Sequence, residues 1–234
     1  MLNKERHQLI MGQILKDIYT NTRIAPLVGF KGGTCAYFFY GLPRFSVDLD
    51  FDLLVPGEEN IKKVFQEIQA IIGRYGAIKD ECVKLNTILF EMSYGPEDRN
   101  IKIEISVREW PFDIREQYAY KEYLGIPMLA AKKDYLFAGK LAALLGRGKL
   151  ATRDIYDIYF FAKNNWDINE KTTAVLTGKK LNKYLSECVK YIEKIPPKQI
   201  LRGLGELISD KEKAWAKTDL KQETVFLLKL RKKI

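Results

Sequence analysis

Three aspartates at two-residue spacing, Asp48, Asp50 and Asp52, carry the clearest chemical signal in the sequence. Side chains alternate between the two faces of a β-strand, so these three carboxylates should point the same way while Leu49 and Phe51 enter a core. Carboxylates this close repel one another unless a cation lies between them, and hard oxygen ligands suit Mg²⁺, with Mn²⁺ as the alternative. The pattern predicts a metal site held by Asp48 and Asp50, with Asp52 outside the ligand set.

A third acidic residue, Glu104, is the candidate that completes this site. It lies in a predicted strand over 101–107, in which alternate residues are apolar and Glu104 occupies the opposite face. A carboxylate on a neighbouring strand could serve as the third metal ligand or as a general base. The alternative is an ordinary glutamate on a solvent-exposed strand face.

A glycine pair precedes the aspartates. An apolar run over 27–30 leads into a predicted tight turn, Lys31-Gly32-Gly33-Thr34, and then a helix over 35–40. Glycines let backbone N–H groups approach a triphosphate closely, and the helix N-terminus favours that anion. The order of strand, turn, helix and Asp-x-Asp strand suits nucleotidyl transfer, with one metal ion on the triphosphate and another lowering the pKa of the attacking hydroxyl. The turn is not a P-loop, because GxxxxGK[ST] is absent.

The stretch KGGTCAYFFYGLPRFSVDLDFDLL resembles the signature of the AbiEii/AbiGii-type toxin nucleotidyltransferases. This family belongs to the DNA-polymerase-β-like superfamily and includes the MenT-like toxins of toxin–antitoxin and phage-defence systems. The resemblance implies that the nucleotide binds at Lys31, Gly32, Gly33, Thr34, Arg44 and Ser46. Ser46 has two other interpretations: the corresponding serine of some relatives can be modified by a cognate antitoxin, and a plain strand serine fits equally well.

The resemblance extends into the second half of the chain. A lysine helix containing Lys140 is followed by Arg153-Asp154-Ile155-Tyr156-Asp157. The family implies that Lys140 contacts the triphosphate and that an aspartate of the following helix is functional, which leaves Asp154 and Asp157 both open. Arg147, seven residues after Lys140, would lie on the same helix face and could assist. Asp154 could instead merely offset the helix dipole.

The periodicity of the chain predicts an α/β (α+β) fold with a mixed β-sheet and a helical C-terminal half. Two domains are expected, a nucleotidyltransferase catalytic domain over 1–127 and a basic α-helical domain over 128–234, with 110–127 as a loop-like boundary. Further strands are predicted at 86–94 and 101–107. Helices are predicted at 3–22, 58–75, 133–145, 152–164, 181–194, 199–209 and 218–232.

Composition narrows the class of protein. The net charge of +9 is uneven, because residues 131–234 carry 23 Lys and Arg against 12 Asp and Glu, whereas residues 1–130 sum to −2. A basic half suggests a polyanionic partner, although a solvated lysine-rich surface is the alternative. Three distant cysteines argue against a disulfide framework or a zinc site. No apolar run could cross a bilayer and no signal peptide is visible, so a cytoplasmic location without membrane contact is expected.

These observations and the resemblance together predict an enzyme that uses Mg²⁺ and an NTP. It would transfer NMP to an acceptor hydroxyl, with tRNA or another RNA 3′ end preferred and a cognate antitoxin as a partner. One alternative is an antibiotic-type nucleotidyltransferase acting on a small molecule. Another is a non-catalytic protein that binds nucleotide or RNA.

Overall fold

The computed structural model describes residues 3–148 and 150–232. The chain divides into two units, each of which is described separately. The first comprises residues 3–41 and 45–131, and the second comprises residues 42–44 together with the described residues from 132 onward. The expected boundary at 127/128 therefore lies four residues before the main crossover, and the short excursion at 42–44 has no counterpart in the sequence prediction.

The first unit contains a seven-stranded mixed sheet and three α-helices. The sheet order is β3-β4-β5-β2-β1-β7-β6, with parallel pairs β2–β5 and β1–β7 and antiparallel pairs elsewhere. In chain order the elements are α1 (Lys4–Thr20), β1 (Val28–Lys31), α2 (Gly32–Tyr40), β2 (Leu49–Leu53), α3 (Glu58–Ile72), β3 (Ala77–Lys84), β4 (Thr87–Ser93), β5 (Ile101–Ser106), β6 (Tyr118–Tyr123) and β7 (Ile126–Ala131).

Alternation of apolar and polar residues determines which face of each central strand is buried. Ile101, Ile103 and Ile105 of β5 are fully buried, while Lys102 and Glu104 between them are exposed. Phe51 of β2 packs its ring against Phe30 of β1 with centroids 5.4 Å apart. The mixed-sheet prediction is confirmed, and the sheet places the chemistry-bearing residues on the strands β1, β2 and β5.

Local structure differs from the sequence prediction at several places within the first unit, among them β3, which lies in a stretch with no predicted strand. Gly32 and Gly33 form the first turn of α2 and not a separate turn, with Lys31 as the N-cap residue. The second strand begins at Leu49, so Asp48 immediately precedes it. The prediction of a loop over 110–127 was wrong, because β6 and the start of β7 lie there. Three of the six side chains of the edge strand β6 are exposed, and the strand carries little apolar alternation.

The second unit is helical, as predicted. Its helices are α4 (Lys133–Gly146), α5 (Thr152–Lys163), α6 (Glu170–Thr177), α7 (Leu181–Glu193), α8 (Asp210–Trp215) and α9 (Lys221–Leu230), with a π-helical stretch Ala216–Leu220 joining the last two. The helix expected over 199–209 was wrong: after a short 3₁₀ segment at 197–199 the chain continues in turns. Helix α5 packs against α4 and α9 and is buried on almost every side.

The remaining composition-based expectations concern cysteines and membranes. Cys35, Cys82 and Cys188 are all free thiols. None of the helices within the described residues has both the length and the apolar character that a membrane span requires.

His7 anchors the segment that leads into β2. Its buried imidazole donates from Nε2 to the Val47 carbonyl oxygen at 3.0 Å, and Nδ1 accepts from the Tyr94 hydroxyl at 2.7 Å. Because Val47 precedes Asp48, the only histidine of the chain positions the backbone beside the first predicted metal ligand. Burial lowers the pKa of the His7 imidazole.

We expect His7 to make stability depend on pH below its unfolded pKa of about 6.5. A histidine whose folded pKa is depressed binds its proton first in the unfolded chain, so stability is full above that value and is lost as pH falls towards the folded pKa. Urea midpoints at pH 7.5, 6.5 and 5.5 should decline in the native protein and decline less in His7→Gln. Equal declines in the two proteins would contradict this assignment.

Candidate active site

Asp50 of β2 lies beside the junction between β1 and α2. Lys31, the last residue of β1, is the direct antiparallel neighbour of Asp50, and Gly32 follows with a φ of +79°. A Cβ on Gly32 would come within 2.1 Å of Asp50 Oδ2. Position 32 therefore requires glycine twice over, for its backbone angle and for the carboxylate that lies against it.

Glu104 is the parallel neighbour of Asp50. The two residues are paired between β2 and β5, and the flanking pairs Leu49–Ile103 and Phe51–Ile105 are buried. Because alternation is shared across neighbouring strands, Asp50 and Glu104 lie on the same face of the sheet. Glu104 is exposed and Asp50 is half-buried. The register brings together these two predicted residues, which are 54 positions apart in the chain.

Thr34 and Ser46 fix the backbone of the segment that precedes Asp50 in the chain. The Thr34 hydroxyl donates to the Asp48 carbonyl oxygen, and its oxygen lies 2.9 Å from the Ser46 hydroxyl in a second hydrogen bond. Both side chains are buried. These hydroxyls consequently fix the path of the chain into β2, and their predicted contact with nucleotide phosphates stays a prediction.

The metal-binding prediction depends on Asp48, Asp50 and Glu104. Within residues 3–148 and 150–232, no three His, Cys, Asp or Glu side chains are arranged closely enough to surround an ion. The donor set itself fits a hard divalent cation, since the register of two paired strands places the carboxylate side chains of Asp50 and Glu104 on one face. Mutual repulsion spreads such carboxylates, and a bound cation would draw them together.

Asp52 belongs to a buried cluster that we call the Asp52 cluster, formed with Lys31 and Tyr118. The Lys31 ammonium donates to Asp52 Oδ1 at 2.6 Å and the Tyr118 hydroxyl donates to Oδ2 at 2.6 Å. Gly29 leaves space for the Tyr118 ring, because a Cβ at position 29 would come within 2.4 Å of that ring. Asp52 is 1% exposed and both of its carboxylate oxygens accept hydrogen bonds within this cluster, while its place outside the metal ligands stays a prediction. Lys31, predicted to bind nucleotide, has its ammonium engaged by Asp52.

A second charged cluster lies within the helical unit, around Lys140 of α4. Its ammonium lies 3.0 Å from Asp154 Oδ1 and 2.8 Å from Asp157 Oδ2. Both aspartates are fully buried on α5, whereas the Lys140 side chain keeps 12% of its surface exposed. Both therefore position Lys140, and neither is placed to touch a ligand directly. The choice between Asp154 and Asp157 as the functional aspartate stays open.

Arg44 is tied to the same cluster. Its guanidinium donates from Nε to Asp157 Oδ1 at 2.5 Å and from Nη2 to Asp157 Oδ2 at 2.6 Å. Only 2% of the Arg44 side chain is exposed. Burial would raise the pKa of the Asp157 carboxyl, but the charges of Arg44 and Lys140 outweigh burial and hold that pKa below its usual value. Arg44 thus anchors the 42–44 segment to α5, and this placement does not support the predicted contact of Arg44 with nucleotide.

Arg147 differs from its prediction. It caps the C-terminus of α4 and lies just outside the helix, so it does not share a helical face with Lys140. Its Nε is nevertheless 3.4 Å from Asp154 Oδ2, an oxygen that accepts no hydrogen bond from the described residues. Arg147 therefore contributes charge to the cluster without a formed hydrogen bond.

Sequence reasoning missed Tyr118 as a member of the site region. The sequence predicts a loop over 110–127, where a tyrosine carries no positional information. The only available signal was Gly29 within an apolar strand, which often marks a close approach by another group.

The family comparison identifies the chain. A family described as "Nucleotidyl transferase AbiEii toxin, Type IV TA system" matches residues 13–223. The chain belongs to this family. This AbiEii-family protein is accordingly a nucleotidyltransferase, as the sequence predicted. Among curated proteins, none matches the sequence.

Solved structures share the fold of this AbiEii-family protein. MenT4, a nucleotidyltransferase toxin from Mycobacterium tuberculosis H37Rv, is 17% identical, with 96% of this chain and 83% of that chain covered and a TM-score of 0.57. A proposed nucleotidyltransferase from H. pylori is 20% identical, with 99% and 98% covered and a TM-score of 0.54. JHP933 from Helicobacter pylori is 21% identical, with 99% and 96% covered and a TM-score of 0.53. The nucleotidyltransferase fold is thereby confirmed.

We expect Gly32→Ala to reduce nucleotidyl transfer about 100-fold or more, because the methyl group displaces the Asp50 carboxylate. Gly125→Ala is the matched control: its φ is +78° and nothing lies within 4 Å of its added Cβ, so it carries the same backbone strain without the clash. Label incorporation from NTP measures both. Equal activities in the two variants would refute the close packing of Asp50 on Gly32.

We expect Tyr118→Phe to lower the free energy of unfolding by about 1.5–3 kcal/mol, because the buried Asp52 carboxylate loses a charge-assisted hydrogen bond. Tyr120→Phe on the same strand is the control, since Tyr120 is 74% exposed. Urea unfolding of both variants tests this. A Tyr118 variant as stable as the Tyr120 variant would show that the bond contributes nothing.

Proposed function

We propose that this protein is a Mg²⁺-dependent toxin that transfers NMP from an NTP to the 3′ hydroxyl of tRNA. The observation that carries the proposal is the pairing of Asp50 with Glu104, with the Gly32 backbone lying against the Asp50 carboxylate. Family membership supports the nucleotidyl transfer itself. The Mg²⁺ requirement, the RNA acceptor and a cognate antitoxin partner are proposed here beyond what family membership supports.

Each of the paired residues has a defined part in the proposed reaction. Asp48, Asp50 and Glu104 would hold the Mg²⁺, which when bound supplies charge neutralisation to the triphosphate and acidifies a hydroxyl. The acceptor oxygen forms a bond to the α-phosphorus, the bond from that phosphorus to the β-phosphate oxygen breaks, and pyrophosphate leaves. The hydroxyl proton passes to the exposed Glu104 carboxylate where Glu104 is the general base, and to water where Glu104 is the third metal ligand.

Lys140 provides the positive charge for the departing pyrophosphate in this proposal. Its ammonium is held by the two buried aspartates of α5 and retains some exposure. A cation fixed in this way loses little conformational freedom on binding a phosphate. The family resemblance and the geometry within the helical unit support this proposed role.

The acceptor is proposed from charge. Residues 131–234 hold 23 Lys and Arg against 12 Asp and Glu. A surplus of this size attracts polyanions, and an RNA 3′ end is a polyanion that offers a terminal hydroxyl; the toxin family favours RNA as the acceptor. A cationic antibiotic would be repelled by the same surplus.

We expect the native protein to label tRNA from one or more α-radiolabelled NTPs in the presence of Mg²⁺, and to lose this activity in EDTA. Asp50→Asn and Glu104→Gln should each reduce labelling by about 10²-fold or more, since each removes a carboxylate from the proposed metal and base set. Denaturing gels of the RNA measure the incorporation.

Glu122→Gln is the matched control for Glu104→Gln, because Glu122 is also an exposed glutamate on a strand of the first unit. It should keep full activity. Label that appears only on an added aminoglycoside would contradict the RNA acceptor. Full activity of Asp50→Asn would contradict the proposed mechanism.

A further inference from the structure

We propose that the outer face of α7 binds the phosphate backbone of the RNA acceptor, an inference that rests on the proposed function. Three exposed lysines form the contact surface, which we call the lysine stripe: Lys183 and Lys190 of α7 and its C-cap residue Lys194, whose backbone keeps the helical conformation. At 3.6 residues per turn their side chains fall within about 40° of one another around the helix axis. Along the axis they extend over about 16 Å.

The opposite face of α7 explains why the stripe faces outward. Tyr184, Leu185, Cys188 and Ile192 are buried, and α7 packs against α4, α6 and α9. Amphipathic packing of this kind fixes the helix rotation. The stripe is consequently held in one orientation by the core of the helical unit.

The positive charge of the stripe is not neutralised by its own helix. Glu187 is paired with Lys179 at 2.6 Å and Glu193 with Lys229 at 2.8 Å, so the acidic groups of α7 bind lysines outside the stripe. Across the described residues, no salt bridge joins a carboxylate to a stripe lysine. Lys180 and Lys198 add exposed charge at the two ends.

The chemistry of the face favours RNA over a protein partner. Protein interfaces bury a central group of apolar or aromatic side chains. The exposed large apolar residues in the described part of the chain all lie outside α7. Binding to a phosphate backbone, by contrast, needs only cations that displace counterions.

The test uses the full chain and unmodified tRNA without NTP, so that binding is measured apart from catalysis. Lys183→Glu/Lys190→Glu should raise the dissociation constant for tRNA about tenfold or more. The slope of log affinity against log salt should fall by about 1.5 to 2, in keeping with two lost phosphate contacts. The neutral pair Lys183→Gln/Lys190→Gln should produce the same slope change, which guards against misfolding of the Glu variant.

Lys62→Glu/Lys79→Glu is the matched control, because it changes the net charge equally at two exposed lysines of the first unit. It should leave tRNA affinity within about twofold, since neither lysine lies on the stripe. Equal weakening by both pairs would show an effect of net charge alone and overturn the proposal. Unchanged binding by the stripe variants would overturn it as well.

The outcome is separable from that of the proposed function. If the native protein binds tRNA through the stripe but labels no RNA, the surface is supported and the proposed transfer to tRNA fails. If the native protein labels tRNA and the stripe variants bind and label it normally, the transfer stands and the stripe is refuted.

Discussion

The placement of the Asp50 carboxylate against the Gly32 backbone is the constraint on which the first unit depends. It requires β1 to end at Lys31, α2 to begin with a glycine at positive φ, and β2 to stay in register with both neighbours. A shift of one residue in β2 would turn Asp50 into the core and Phe51 to the surface. The buried apolar residues of β2 and β5 therefore fix the strand register, and the register fixes the position of Asp50 and Glu104.

Within each unit the protein holds charged groups away from water. Asp52 is bound by Lys31 and Tyr118, and Asp157 by Arg44 and Lys140. Buried pairs of this kind contribute little net stability, because desolvation offsets much of their attraction, but removing one partner is costly. Their consistent effect here is geometric: each cluster fixes a backbone segment next to a residue with a proposed part in catalysis.

Exposure divides the proposed site residues into those that a ligand could reach and those that position others. Glu104 and, in part, Lys140 retain exposure, whereas Thr34, Arg44, Asp154 and Asp157 do not. A family signature contains both kinds of residue, because loss of a positioning group displaces the group that it holds. Exposure and hydrogen-bond partners separate them where a motif cannot.

The sequence by itself determined the family, the mixed sheet with a helical second half, and the candidates Asp48, Asp50 and Glu104. These follow from local periodicity and from a contiguous motif, both of which are visible along the chain. Only the tertiary structure decided that Asp50 and Glu104 are neighbours and that Tyr118 reaches Asp52. It also showed that Arg44 pairs with Asp157 and that Arg147 lies outside its helix. Contacts between residues far apart in the chain depend on strand register and helix packing, which one sequence does not encode locally. The edge strand β6 was missed for the same reason, since its pairing with β7 and not its own side-chain pattern makes it a strand.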